Sequence, residues 1–167
     1  AALADTLNAA PIQHIGKLLV LWRPIPEKPK AEARAIRHGF PWVYADELVT
    51  DRRTQGLVPG ALAVLEDGER RPLGLVTVIV KSKILARMLD RDPDAVIDEN
   101  WFAARLDRAL QHRSRLYPRP FYRLVHAESD GLPGIVIDRF GDVAVVQPNA
   151  AWAEDALDDL VAALVRI

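Results

Sequence analysis

The 167-residue sequence contains no cysteine. Disulfides, zinc sites built from thiolates and a cysteine nucleophile are therefore excluded within this chain. Long hydrophobic runs are also lacking, and stretches such as residues 18–22 are far too short to cross a bilayer. Because no signal-peptide pattern precedes that stretch, we expect a cytoplasmic protein without a membrane partner.

Excess charge of either sign is lacking as well, since the formal net charge is -1. Bulk charge alone therefore does not predict a nucleic-acid partner. The charges are nevertheless uneven along the chain, with an acidic end after residue 153 and a basic stretch before it. The arginines of that stretch are Arg105, Arg108, Arg113, Arg115, Arg119 and Arg123.

What is present indicates a globular protein, with 50% hydrophobic and 27% charged residues. The length suits one medium domain or two small ones. The chain begins at Ala1, contains a single methionine at Met88, and stops at Ile167 within an apolar helical pattern. We therefore expect a fragment of a longer protein.

The order of patterns predicts an α+β protein with a β-rich module first. After a loose lead-in over residues 1–14, residues 15–88 contain a strand within 16–22, a short helix ending at Gly39 and a strand after Pro41. Asp67 and Gly68 predict a tight hairpin turn within this module. Residues 93–167 predict a smaller α+β module, with a long helix capped by Asp98 or Asn100, a three-stranded antiparallel meander and one C-terminal helix over 152–167.

The segment "ESDGLPGIVIDRFGD" (128–142) combines acids with glycines between two apolar runs. Together with His126, its carboxylates invite a metal-site interpretation. The dipeptides Asp130-Gly131 and Gly141-Asp142 favour two consecutive hairpin turns with surface carboxylates instead. A narrower possibility is that Glu128 and Asp130 face a further domain.

A basic stripe is expected along one face of the long helix. It consists of Trp101, Arg105, Arg108, His112 and Arg115, which recur at three- and four-residue steps. Cations that bind phosphates and an aromatic ring that stacks on bases would make this face an RNA contact. The alternative is a solvated helix face, with Arg113 on the apolar side paired to a buried acid.

A second candidate contact is "RHGFPWVY" (37–44), where Arg37, His38, Gly39 and Trp42 could contact an RNA backbone. The alternative is that its aromatic residues pack in the core. The four histidines show no ligand spacing, so we expect no metal site, and no catalytic constellation is visible.

Five segments, taken in order, resemble one family. They are "RHGFPWVYADEL", "GLVPGALAVLEDGERRPLGLVTV", "SKILARML", "VIDENWFAARLDRALQHRSRL" and "YRLVHAESDGLPGIVIDRFGDVAVVQ". Over about residues 15–150 they are similar to the front portion of the SAM-dependent ribosomal-RNA large-subunit methyltransferase I family, of the cytosine-C5 type. Two departures stand out: an extra residue separates His38 from Pro41, and Ile79-Val80 replaces a common Asn-Pro pair.

The resemblance implies a PUA-like RNA-binding pseudo-barrel at 15–88 and a central α+β domain at 93–167. It places the Rossmann methyltransferase domain, with its SAM site and catalytic cysteine, outside this chain. The implied function is the RNA-recognition and scaffold portion of an rRNA methyltransferase, inactive by itself, with ribosomal RNA as partner and SAM bound elsewhere. The alternatives are a stand-alone RNA-binding adaptor and an interaction domain whose Trp152 helix docks a partner or a second copy as a homodimer.

Overall fold

The computed structural model describes residues 19–22, 31–49, 52–79 and 81–167. The expected lead-in over 1–14 lies outside these ranges. The first unit holds a six-stranded sheet in the order β2-β6-β5-β4-β1-β3. Its strands are β1 (Leu19–Trp22), β2 (Trp42–Tyr44), β3 (Leu48–Val49), β4 (Leu62–Glu66), β5 (Pro72–Val78) and β6 (Ile84–Asp90), and its helices are α1 (Ala31–Arg37) and the short α2 (Arg52–Gln55).

All strand pairs of this sheet are antiparallel except β1 with β4, which is parallel. Helix α1 ends as expected at Gly39, whose φ of 103° lies in the region that glycine tolerates. The expected strand after Pro41 forms but is short, because a 3-10 turn (Ala45–Glu47) follows it directly.

The β4–β5 hairpin does not have the expected two-residue turn at Asp67-Gly68. Strand β5 begins only at Pro72, and the buried Asp67 carboxylate organises the loop between the strands. It accepts hydrogen bonds from the amides of Glu69 and Arg71, at 2.9 and 3.0 Å, and from the guanidinium groups of Arg71 and Arg37. Burial alone would raise the pKa of Asp67, but these donors lower it to about 2.

The second unit begins with the expected long helix, α3 (Glu99–Leu116). Asp98 is its N-cap, and the Asp98 side chain accepts a hydrogen bond of 2.8 Å from the Trp101 amide. The predicted meander is confirmed as β7 (Phe121–His126), β8 (Ile135–Phe140) and β9 (Val143–Pro148), in that order in an antiparallel sheet. The expected single C-terminal helix is two helices, α4 (Ala151–Asp155) and α5 (Leu157–Arg166), because the backbone breaks at Ala156.

The turns at either end of β8 differ from each other. The Gly141-Asp142 connection is a tight turn, with Phe140 paired to Val143. The connection from β7 to β8 is a 3-10 turn (Ala127–Asp130) followed by Gly131 at a φ of 72°, and not the expected tight hairpin.

The two units share buried surface. Leu75 of β5 and Leu89 of β6 belong to the same hydrophobic cluster as Phe102, Trp152 and Leu160 of the second unit, and Leu62 packs against that cluster. A separate cluster around Val43, Leu65 and Val78 fills the first unit. Since the larger core draws residues from both sheets, the units are not independent in packing.

Gly60 brings the backbones of the two units together. Its φ is 90°, and a Cβ built there would lie 2.7 Å from the Trp152 amide nitrogen, at the start of α4. That is well below van der Waals contact, so only glycine fits without displacing the C-terminal helices.

Among the helices of the described ranges, none is long and apolar enough to cross a membrane.

We predict that Gly60→Ala destabilises the protein by about 1–3 kcal/mol more than Gly141→Ala does. Both glycines have positive φ, so both variants bear the backbone strain of a left-handed alanine, but a Cβ at Gly141 meets nothing within 4 Å. Urea unfolding followed by tryptophan fluorescence measures the difference. Equal losses of stability in the two variants would show that the Gly60 contact is unimportant.

Candidate nucleic-acid interface

A groove of about 430 Å³ lies where the two units meet. Its lining comes from the loop at residues 39–41, the end of β6 at residues 88–91, Arg105 and Arg108 of α3, and Glu128 and Gly131 before β8. The loop after α1 and the basic face of α3, which the sequence offered as two separate candidate contacts, therefore contribute to one concave surface.

Glu128 fixes one side of this junction. Its Oε1 accepts hydrogen bonds from the Trp42 indole at 3.0 Å and from the Arg87 guanidinium at 2.5 Å. Trp42 and Arg87 are directly opposite each other in the β2–β6 pair, so their side chains leave the same face of the sheet. Burial by itself raises the pKa of Glu128, but the Trp42 and Arg87 hydrogen bonds hold it below its usual value.

Trp101 and Arg105 form a second junction with the end of β6. The Trp101 indole donates to Asp90 Oδ2 at 2.8 Å, and Arg105 Nη2 donates to the same oxygen at 2.7 Å. Arg105 also lies 3.5 Å above the centroid of the Trp101 ring and donates to the Leu89 and Gly131 carbonyls. Although burial raises the pKa of Asp90, the donors around the carboxylate lower it overall.

These contacts divide the basic stripe of α3 into residues that support the groove and residues that are exposed. Trp101 is 8% exposed and lies in the core, so its ring has no free face on which a base could stack. The Arg105 side chain is 16% exposed and its guanidinium is already bound on several sides. Both residues therefore support the groove from beneath, and the exposed surface of the stripe consists of Arg108, His112 and Arg115.

Arg113 and Asp130 form the third pair. Arg113 Nη2 donates to Asp130 Oδ2 at 2.6 Å, and the same oxygen accepts from the His126 amide at 2.7 Å. The expected pairing of Arg113 with a buried acid is confirmed, since the two side chains are 14% and 10% exposed. Glu128 pairs with Arg87 and Asp130 with Arg113, and both carboxylates are largely buried, so they are not the expected surface carboxylates.

The candidates before β2 are more accessible. Arg37 pairs with Asp67 while nearly half of its side chain stays exposed, and the exposed His38 donates through Nδ1 to the Arg34 carbonyl at 2.6 Å. Gly39 lines the groove, whereas Trp42 is half-buried beneath the loop and held by Glu128. His112 and Arg115 continue the basic face of α3 beyond the groove.

Two groove residues were missed as sequence candidates. Arg91 is exposed, and its Nη2 lies 3.0 Å from where a Cβ of Gly39 would be. Phe40 is 41% exposed and meets Trp42 edge-on at 6.1 Å between ring centroids. Only the extra residue between His38 and Pro41 pointed to Phe40, and no local signal distinguished Arg91.

Within the described ranges, no group of three or more acidic or histidine side chains could hold a metal ion.

Comparison with known proteins defines the class of the first unit. Residues 28–91 match a PUA-like domain family. Two solved structures share the fold of most of the chain: a candidate SAM-dependent methyltransferase of Streptococcus mutans (TM-score 0.70, 14% identity, 89% of this chain and 37% of that one) and a candidate methyltransferase in complex with SAH (TM-score 0.68, 17% identity, 90% and 37%).

Curated relatives are more similar in sequence. A ribosomal RNA large subunit methyltransferase of Deinococcus radiodurans is 37% identical over 131 residues, which are 74% of this chain and 32% of the relative. The ribosomal RNA large subunit methyltransferase I of Cronobacter sakazakii is 35% identical over 139 residues, or 81% and 34%. Over the aligned residues the chain is similar to these methyltransferase I relatives, and it spans about a third of the length of the curated relatives that it matches.

We predict that Arg105→Ala lowers the free energy of unfolding by about 2–3 kcal/mol, because it leaves the partly buried Asp90 carboxylate without its ionic partner. Arg108→Ala, three residues along the same helix but exposed, should change it by no more than about 0.5 kcal/mol. Denaturant titration at neutral pH measures both. Similar stabilities of the two variants would contradict the structural role of Arg105.

Arg105→Ala should also change how the free energy of unfolding depends on pH under acidic conditions. The pKa of Asp90 is lowered in the folded protein, so its contribution is present above the unfolded pKa, about 3.9, and is lost as pH falls through the folded value. Arg105→Ala removes part of the lowering of the Asp90 pKa. The free energy of unfolding of the variant should therefore fall less steeply below about pH 4 than that of the wild type.

Proposed function

We propose that this chain is the RNA-recognition and scaffold portion of a SAM-dependent ribosomal-RNA methyltransferase. The observation that carries the proposal is the groove at the junction, where exposed cations of both units lie beside a loop of the PUA-like domain. The names of the relatives supply the substrate class, large-subunit ribosomal RNA. A cytoplasmic location is part of the same proposal.

Phosphate binding would come from the accessible cations. These are Arg37 and His38 near the loop, Arg91 and Arg108 at the groove, and His112 and Arg115 along α3. Each contact with a phosphate releases counterions, so affinity should fall steeply with salt. A net charge near zero is compatible with this role, because Asp67, Asp90, Glu128 and Asp130 are neutralised by ion pairs and do not repel the RNA.

The methyl transfer itself would occur elsewhere in the longer protein. The resemblance implies a cysteine that adds to C6 of a cytosine and SAM as the methyl donor. This chain has no cysteine, and the residues that the structure describes form no glycine-rich strand–loop–helix for SAM, so they fit neither role. Its contribution would be to hold the RNA on a rigid surface while the target base enters the catalytic domain. A homodimer stays a prediction.

We predict that Arg108→Ala weakens binding to large-subunit ribosomal RNA about threefold to tenfold and makes the dependence of log Kd on log salt shallower. Lys83→Ala is the matched control, because it removes the same charge from the exposed turn at the opposite end of β6. Fluorescence anisotropy at several salt concentrations measures both effects. Equal losses in the two variants would show that binding reflects overall charge and not this surface.

We also predict that the 167-residue chain shows no binding of SAM in isothermal titration calorimetry. The SAM concentration should reach about 100 times a micromolar Kd, so that binding of that strength would be detected. SAH, titrated in the same way, tests the product form of the cofactor. Clear micromolar binding of either molecule would overturn the assignment of cofactor binding to another part of the protein.

A further inference from the structure

The groove at the junction has one aromatic wall. Phe40 lies in the loop after α1 and lines the groove, with 41% of its surface exposed. Its ring is steadied by the edge-on contact with Trp42, and the Trp42 indole is in turn bonded to Glu128. Phe40 is therefore an accessible ring whose neighbour is held from both units of the protein.

The lining of the groove also includes two exposed cations. Arg91 follows β6 and its guanidinium reaches over Gly39, while Arg108 projects from α3. Among the residues that the structure describes, neither guanidinium has a hydrogen-bonding or ionic partner, in contrast to Arg87, Arg105 and Arg113. The two carboxylates that line the groove, Asp90 and Glu128, are already paired.

Gly39 permits this arrangement. A Cβ at this position would lie 3.0 Å from the Arg91 guanidinium, and the φ of 103° disfavours any other residue. The absence of a side chain at Gly39 leaves room there for the Arg91 guanidinium. Its volume of about 430 Å³ is within the range of about 300–1,000 Å³ that is typical of sites for small organic ligands.

We propose that this groove takes one unstacked nucleotide of a single-stranded RNA segment, with the base against Phe40 and the adjoining phosphate at Arg91 and Arg108. The inference rests on the proposed RNA-binding function and specifies the form of RNA that is bound. In a duplex, bases are stacked on one another and their faces are inaccessible to a side chain. An aromatic platform beside unpaired guanidinium groups suits an unpaired base with its phosphate.

The test uses the 167-residue chain with a fluorescein-labelled single-stranded oligoribonucleotide of about ten nucleotides and with the duplex formed from it. The wild type should prefer the single strand. Phe40→Leu keeps an apolar side chain but removes the ring, and it should weaken single-strand binding about tenfold without changing the salt slope. Replacing Arg91 and Arg108 together by Ala should reduce that slope by about 1.4, or about 0.7 for each phosphate contact.

Phe40→Leu should retain the melting temperature of the wild type, since the ring is exposed, so any loss of binding is not a loss of folding. Equal binding of single strand and duplex, or unchanged binding by Phe40→Leu, would overturn the nucleotide proposal and leave RNA binding itself intact. Absence of binding to either RNA, and to ribosomal RNA, would overturn the proposed function together with it.

Discussion

The carboxylate of Glu128 accepts hydrogen bonds from neighbouring strands of the first sheet while its own backbone lies in the turn before β8. Because Trp42 and Arg87 are cross-strand partners, this contact ties the turn before β8 to one face of the first sheet at two adjacent strands. Such a group is costly to bury without partners, and its two donors offset that cost. Glu128 itself lines the groove, and the Trp42 ring that it holds is the one that meets Phe40 edge-on.

The pairs around Glu128, Asp90 and Asp130 distinguish two groups of arginines near the junction. Arg87, Arg105 and Arg113 have largely buried side chains bonded to carboxylates, so their charges are compensated within the fold. Arg91 and Arg108 lie only a few residues from paired ones and remain exposed. A protein with almost no net charge can in this way present a locally cationic surface, because the acids nearest to that surface are paired within the fold.

Neither unit forms the groove alone. The loop with Gly39 and Phe40 belongs to the PUA-like domain, whereas Arg108 comes from α3. The shared hydrophobic cluster and the close approach of Gly60 to α4 make the junction a packed interior, where small displacements are resisted. A surface held this firmly suits a recognition role, since a preorganised site loses little entropy on binding.

Local features were predictable from the sequence because their causes are local. The Asp98 cap, the glycine that ends α1, the tight turn at Gly141 and the meander follow from residue types within a few positions of each other. The loop around Asp67 and the break at Ala156 were not predicted. Asp67 is bonded to Arg37, thirty residues away, and the sequence pattern of the last helix contains no glycine or proline to mark its break.

Helical spacing places Trp101, Arg105 and Arg108 on one face of α3, and the sequence determined that much about the candidate site. Which of them faces solvent was decided by β6, whose Asp90 lies against the first two and leaves the third free. The same holds for Glu128 and Asp130. The sequence predicts them as surface carboxylates of a turn, but in the structure they form ion pairs with arginines of other elements. Periodicity is a property of one element, whereas burial and ion pairing depend on elements distant in sequence, so only the tertiary structure could separate the supporting residues from the exposed ones.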